Sequence, residues 1–156
     1  MFRYVTKRQY QKGWESMNRH DYEAIIRQFA PNFEVTFVGD TSLGGSRRTK
    51  DAMRRWFQRF FRFFSDARFE MQDLAIDGPP WNTRIFGAFE ITATVLGAPY
   101  RNVFIQFVRM RWGRIVSYAI YEDSLKFWRV TQIMSGRGIV EATAGPIADE
   151  PTGSNL

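Results

Sequence analysis

Few side chains in this sequence can move a proton or attack a bond. There is no Cys, which removes disulfides, thiolate nucleophiles, iron–sulfur clusters and zinc–thiolate sites. The single His, His20, cannot build a metal-binding cluster, and a Ser-His-Asp triad would have to run through it. No metal and no cofactor is implied. His20 precedes Asp21, a helix-capping residue type, and reads as an exposed cap-region side chain. Asp40 lies just past a strand, among glycines. It would be a base if its loop folds inward, or would bond to backbone as Asp does in turns. Glu90 sits in an apolar stretch and reads as the partner of an Arg on a neighbouring strand; the alternative is a buried acid of raised pKa. Tyr118 offers a hydroxyl in an apolar strand, either to orient an oxygen-bearing ligand or simply to be satisfied in the core.

The surroundings of these groups are rich in rings. Fifteen Phe, six Tyr and five Trp make up 17% of 156 residues. One domain of this length can bury a substantial core, and rings in this number also favour an apolar pocket. The net charge is +6, carried by 18 Arg and only 4 Lys. Guanidinium groups suit anions and nucleic acid. However, Arg55, Arg59 and Arg62 fall on the helix face opposite the rings, which therefore fill a core rather than stack on bases. Gly44-Gly45-Ser46-Arg47-Arg48 lacks the ending of a phosphate loop. A nucleic-acid partner is not expected; it would show as steeply salt-dependent binding. The start of the chain has no apolar run behind its charges, and no stretch reaches membrane-spanning length. The expectation is a soluble, cytoplasmic protein with no membrane partner.

The elements that must position these groups follow from periodicity. Thr6 and Gln9 read as a capping box, with Tyr10, Trp14 and Met17 at helical spacing up to Asn18. Asp21 caps a short second helix stopped by Pro31. Phe33–Val38 alternates as a strand, and Gly39–Ser46 reads as a flexible loop. Thr49 caps a third helix with Met53, Trp56, Phe57, Phe60, Phe61 and Phe64 on one face. The period then changes to two, giving strands from about Phe69 to Asp77, Thr83 to Leu96, Tyr100 to Arg111 and Arg114 to Tyr121. Ser124–Met134 reads as a short helix or an extension of the last strand. Residues 1–134 form the domain, and 135–156, rich in Gly, Ala, Pro and Ser, read as a disordered tail. The result is an α+β fold, three N-terminal helices packed on a strongly curved antiparallel sheet. Val103, Ile105 and Phe107 oppose Phe104, Val108 and Met110, so both sheet faces are apolar. The outer one needs a cover, and a second copy of the chain is the expected one.

The segments Asn18-Arg19-His20-Asp21-Tyr22-Glu23-Ala24-Ile25, Phe29-Ala30-Pro31, Val108-Arg109-Met110-Arg111-Trp112-Gly113-Arg114-Ile115-Val116 and Tyr121-Glu122-Asp123, in this order, resemble SnoaL-like proteins of the nuclear transport factor 2-like superfamily over residues 6–128. The resemblance implies a cone-shaped α+β barrel with an internal pocket, often dimeric. Relatives include steroid isomerases, polyketide cyclases, limonene-type epoxide hydrolases and non-catalytic binders, so the site must be argued residue by residue. Of the steroid isomerase set, the base position falls on Phe37, the Tyr position on or beside Gly13 and Trp14, and the Asp position on Gln106. Of the epoxide hydrolase set, Arg84 matches the Arg, while the acids fall on Phe86 and Ile120. The cyclase acid falls on Ile120 as well. The resemblance thus implies a pocket lined by Trp14, Phe37, Arg84, Phe86, Phe104, Gln106 and Ile120, binding an apolar small molecule, with Tyr118 and Asp40 as the remaining candidates for chemistry. The expected function is small-molecule binding, with isomerase, cyclase or hydrolase work on a polyketide-, terpene- or steroid-like ligand. The alternative is a non-catalytic binding or interaction module.

Overall fold

The computed structural model describes residues 1–150. The chain runs α1 (Phe2–Asn18), α2 (Glu23–Ile26), β1 (Phe29–Phe37), β2 (Gly45–Arg47), α3 (Lys50–Phe63), β3 (Arg68–Asp77), β4 (Thr83–Val95), β5 (Ala98–Arg111), β6 (Arg114–Glu122) and α4 (Ser124–Gly136), then a 3₁₀ turn at Val140–Thr143. The α+β class and the three N-terminal helices are as expected. Helix α3 begins as its sequence implies, with the Thr49 hydroxyl accepting from the Ala52 N–H at 3.2 Å. Helix α1 begins earlier than expected. Thr6 lies inside it and donates its hydroxyl to the Phe2 carbonyl instead of capping. His20 is half-buried, in the left-handed region at φ 62°, with its ring 4.4 Å from that of Phe61. Its exposure was expected because nothing in the local sequence foretells the packing of Phe61.

Six strands form one curved sheet in the order β2-β1-β6-β5-β4-β3. Strands β3 to β6 are an antiparallel meander, whereas β1 pairs with β6 in parallel. The expected all-antiparallel sheet is therefore a mixed one, because β6 returns to β1 in the same direction after the whole meander. The hairpin turns at Leu96-Gly97 and Trp112-Gly113 have both residues at positive φ, the twist that a two-residue hairpin requires.

Burial alternates along the long strands. On β4, Ile85, Phe89 and Ile91 point to the helices; on β5, Phe104, Gln106 and Val108 do. Cross-strand partners share a face. Arg84 pairs with Arg109 and Phe86 with Phe107, so all four lie on the outer face. Helix α3 presents Met53, Trp56, Phe57 and Phe60 to the inner face, and α1 adds Tyr10, Trp14 and Met17. Gly87 stands on the inner face of β4, where a Cβ would come within 2.6 Å of the Tyr10 hydroxyl and 2.5 Å of the Phe89 ring. The missing side chain is what lets Tyr10 reach the sheet. No described helix is long and apolar enough to cross a membrane.

The segment expected as a disordered tail packs against α3 and its N-terminal cap as far as Asp149; residues 151–156 lie outside the described part. Ala142 and Ile147 are buried. Glu141 accepts from Arg59 and Arg62, and Asp149 accepts from the backbone N–H groups of Arg48 and Thr49. The basic face of α3 is thus largely neutralised from within, Arg55 being paired to Asp51. Composition alone suggested disorder, but two acids matched to an Arg-rich helix outweigh it.

Arg62, opposed by partial burial and helped by Arg59, holds the Glu141 carboxyl down at about 2. Burial raises Asp149, but the N–H groups and hydroxyl of Arg48 and Thr49 outweigh that and lower it. A carboxyl depressed in the folded state stabilises above its unfolded value and loses that stabilisation as pH falls through its folded value. The melting temperature should therefore fall as pH drops from about 4.5 toward 2. Calorimetry of the E141Q/D149N variant should show a smaller fall across the same window.

Candidate active site

Between the inner sheet face and helices α1 and α3 lies a cavity of about 80 Å³, counted at the centres of the waters it could hold. A single water needs roughly 10–15 Å³ on that measure, so the rings line the space without filling it. Its walls include Trp14, Phe37, Trp56, Phe60, Phe104, Gln106, Tyr118 and Ile120. Five of the seven residues expected to line a pocket meet here: Trp14, Phe37, Phe104, Gln106 and Ile120.

The other two do not. Arg84 and Phe86 lie on the outer face, where Arg84 pairs with Asp77 and Phe86 stacks on Phe107 at 4.4 Å. Strand parity decides this, since both are out of step with Ile85 and Gly87. Asp40 is exposed on the loop after β1 and is not part of the cavity wall. Glu90 pairs with Arg101, as its sequence context suggested.

Four titratable side chains line the cavity among the rings. Tyr10 donates its hydroxyl to Gln106 Oε1 at 2.6 Å, joining α1 to β5. Tyr118 is buried, and the loss of water raises its pKa against the opposing pull of the Arg47 charge. Arg47 itself is wholly buried and lies outside the wall. Its N–H groups donate to the carbonyls of Leu43, Gly44, Gly45 and Ile147, and its guanidinium lies 5.8 Å from the Trp56 ring. Burial lowers its pKa to about 10, which still leaves it charged at neutral pH. At the β6 end, Tyr100 accepts from Asn102 Nδ2 at 3.0 Å, which leaves its own proton free to be donated elsewhere.

The fourth group is Glu122, for which the sequence reading assigned no role. On β6, Tyr118, Ile120 and Glu122 follow at spacing two and share the inner face. Their cross-strand neighbours on β5 are Val108, Gln106 and Phe104. Part of Glu122 reaches the surface, but its Oε1 is sealed from solvent and has no hydrogen-bond partner. Burial, with the charge of Asp123 adding to it, pushes the carboxyl up to about 8. The resemblance put its acid position on Ile120, and a carboxyl stands one pleat farther along the same face. Counting by two from Tyr118 would have found it.

A carboxyl raised to about 8 in a buried, ring-lined cavity can give a proton to an oxygen at neutral pH and take one from carbon when ionised. No fixed cation lines the cavity among the described residues, so it suits a neutral, apolar molecule with an oxygen directed at Glu122.

A family model for the SnoaL-like domain matches residues 10–118. No curated protein matches the sequence. Among solved structures, PrhC from Penicillium brasilianum superposes with a TM-score of 0.76 at 12% identity, covering 88% of this chain and 92% of its own. An NTF2-like protein of unknown function from Burkholderia pseudomallei gives 0.71 at 17%, covering 80% and 95%. IdmH from Streptomyces antibioticus, a proposed polyketide cyclase, gives 0.64 at 17%, covering 81% and 98%. At these identities the likeness speaks to the fold.

A carboxyl raised by folding is stabilising below its unfolded pKa, and that contribution is lost as pH rises through its folded pKa. The Glu122→Gln variant escapes the loss. Its melting temperature should gain on the parent's between about pH 4.5 and 8 and hold that gain above. Melting curves at pH 5 and pH 9 check this; equal differences at both would remove the raised carboxyl.

Proposed function

The chain belongs to the SnoaL-like domain family, and on that footing we propose that it binds a mostly apolar, oxygen-bearing small molecule and moves a proton on it through Glu122. The observation that carries this reading is the sealed, unpartnered Oε1 of a carboxyl raised to about 8 in an aromatic cavity. The reaction class is isomerase- or cyclase-type work on a ketone of polyketide-, terpene- or steroid-like character. In its neutral form Glu122 donates to the carbonyl oxygen, with the Tyr100 or Tyr118 hydroxyl as the second donor. In its ionised form it takes the proton from the neighbouring carbon, and the enolate charge spreads onto the donated oxygen. Arg84, Phe86 and Asp40 have no part in it.

A second reading is favoured by Ile120. An aliphatic residue at the position where relatives carry an acid fits a pocket that only binds. The two readings separate on a simple ketone, 2-acetonaphthone, in D2O. The expected result is quenching of tryptophan fluorescence on binding, and exchange of the methyl protons that rises toward pH 8 and is lost in Glu122→Gln. Binding without exchange supports the binding module. No binding at millimolar concentration overturns both.

We also propose that the outer sheet face meets a second copy of the chain. Phe86, Val103, Ile105 and Tyr121 are about half exposed there; Phe86 pairs with Phe107 and Phe107 with Ala119, while Ile105 pairs with Tyr121. A continuous apolar face of this kind is unfavourable in water, and a symmetric pair covers it with itself. Light scattering should give twice the monomer mass, and Ile105→Lys should return the monomer with its fold intact by circular dichroism.

A further inference from the structure

The cavity adjoins a second, more open space on the surface of α1. Gln9, Gly13 and Gln28 line both. Tyr4, Arg8 and Lys12 line the outer one alone, a single helix face at spacings of four. Gln9 Nε2 donates to Gln28 Oε1 at 3.2 Å and to the Gly113 carbonyl at 2.9 Å. These side-chain amides are the partition between the two spaces. Both bonds are neutral and lie at part-exposed positions, where water can replace them. A Cβ at Gly13 would sit 3.3 Å from the Ile25 side chain and 3.7 Å from Gln28 Nε2. Any larger residue there would crowd the partition.

Charge is divided sharply between the two spaces. The inner wall holds no Lys or Arg among the described residues, while the outer cleft holds Arg8 and Lys12, both exposed. Eight other arginines are engaged with carboxylates. Neither Arg8 nor Lys12 is within ion-pair distance of one among the described residues, and the contact of Arg8 with Gln11 is long, at 3.4 Å. Arg47, the cation nearest the inner cavity, has its donors taken by carbonyls. An anionic group on a ligand would therefore find no cationic partner inside and two at the mouth.

We propose that the ligand is an amphiphile ending in a carboxylate, with its apolar body among the rings, its chain passing between Gln9 and Gln28, and its carboxylate on Arg8 and Lys12. The proposal rests on the reading of the inner cavity as a ligand site. Binding of the neutral end stays with Glu122, so charge recognition and proton transfer fall at opposite ends of one molecule.

The test uses a matched pair of probes, 4-(2-naphthyl)butanoate and its neutral amide, read by tryptophan quenching at low salt and neutral pH. The carboxylate should bind about tenfold more tightly than the amide, and added salt should shrink that preference. In the Arg8→Gln/Lys12→Gln variant the preference should vanish while amide affinity stays unchanged. Equal affinities in the parent, or a preference that survives the double substitution, overturn the mouth proposal and leave the cavity reading standing. Failure of both probes to bind overturns the cavity reading, and the mouth proposal falls with it.

Discussion

Burial away from water favours the protonated form of a carboxyl, and around Glu122 that burial is largely the work of rings. The concave face of the sheet would be a wet trough if α1 and α3 did not close it. Helix α3 supplies Trp56, Phe57 and Phe60, and α1 supplies Trp14, whose ring lies 4.1 Å from Phe89 and 5.7 Å from Phe104. These contacts hold the helices off the sheet as well as against it. Rigid rings bridging a curved surface leave a residual space, where flexible aliphatic chains would collapse into it. Burial against these walls, with the charge of Asp123 adding to it, raises Glu122.

The polar framework outside the cavity serves the same end. Arg47, wholly buried, ties the β1–β2 segment to the C-terminal segment through carbonyls on both. Leu43, whose carbonyl accepts from Arg47 and from Trp56 Nε1, is itself part of the cavity wall. The chain after α4 thus supports the site from behind. Its acids, Glu141 and Asp149, turn the Arg-rich side of α3 from a free basic surface into an internal joint.

Much of this was legible in the sequence, for reasons that differ by element. The 3.6-residue spacing of Met53, Trp56, Phe57 and Phe60 and the period of two in β4 and β5 come from burial on one face, so they survive without knowledge of the fold. Five cavity-lining residues followed from motif matching. The same matching failed for Arg84 and Phe86, because only strand parity says which face a residue takes, and Ile85 and Phe89 had already claimed the inner one. The parallel pairing of β1 with β6, the packing of residues 137–150 and the cap that Thr6 does not make depend on contacts distant in sequence. Glu122 was overlooked for another reason. It lies within the resemblance, in Tyr121-Glu122-Asp123, but the acid position fell on Ile120 two residues earlier, and its neighbours Tyr121 and Asp123 make it look like a surface residue.

The chemistry of the cavity depends on the state of that carboxyl. The direct measurement is a carbon-13 NMR titration of the Glu122 side-chain carboxyl in protein labelled at glutamate, assigned by the loss of its signal in Glu122→Gln. A midpoint close to pH 8 is the expected result. A midpoint close to 4.5, the ordinary value for glutamate, would mean a solvated carboxylate and an open cavity, and would contradict the account.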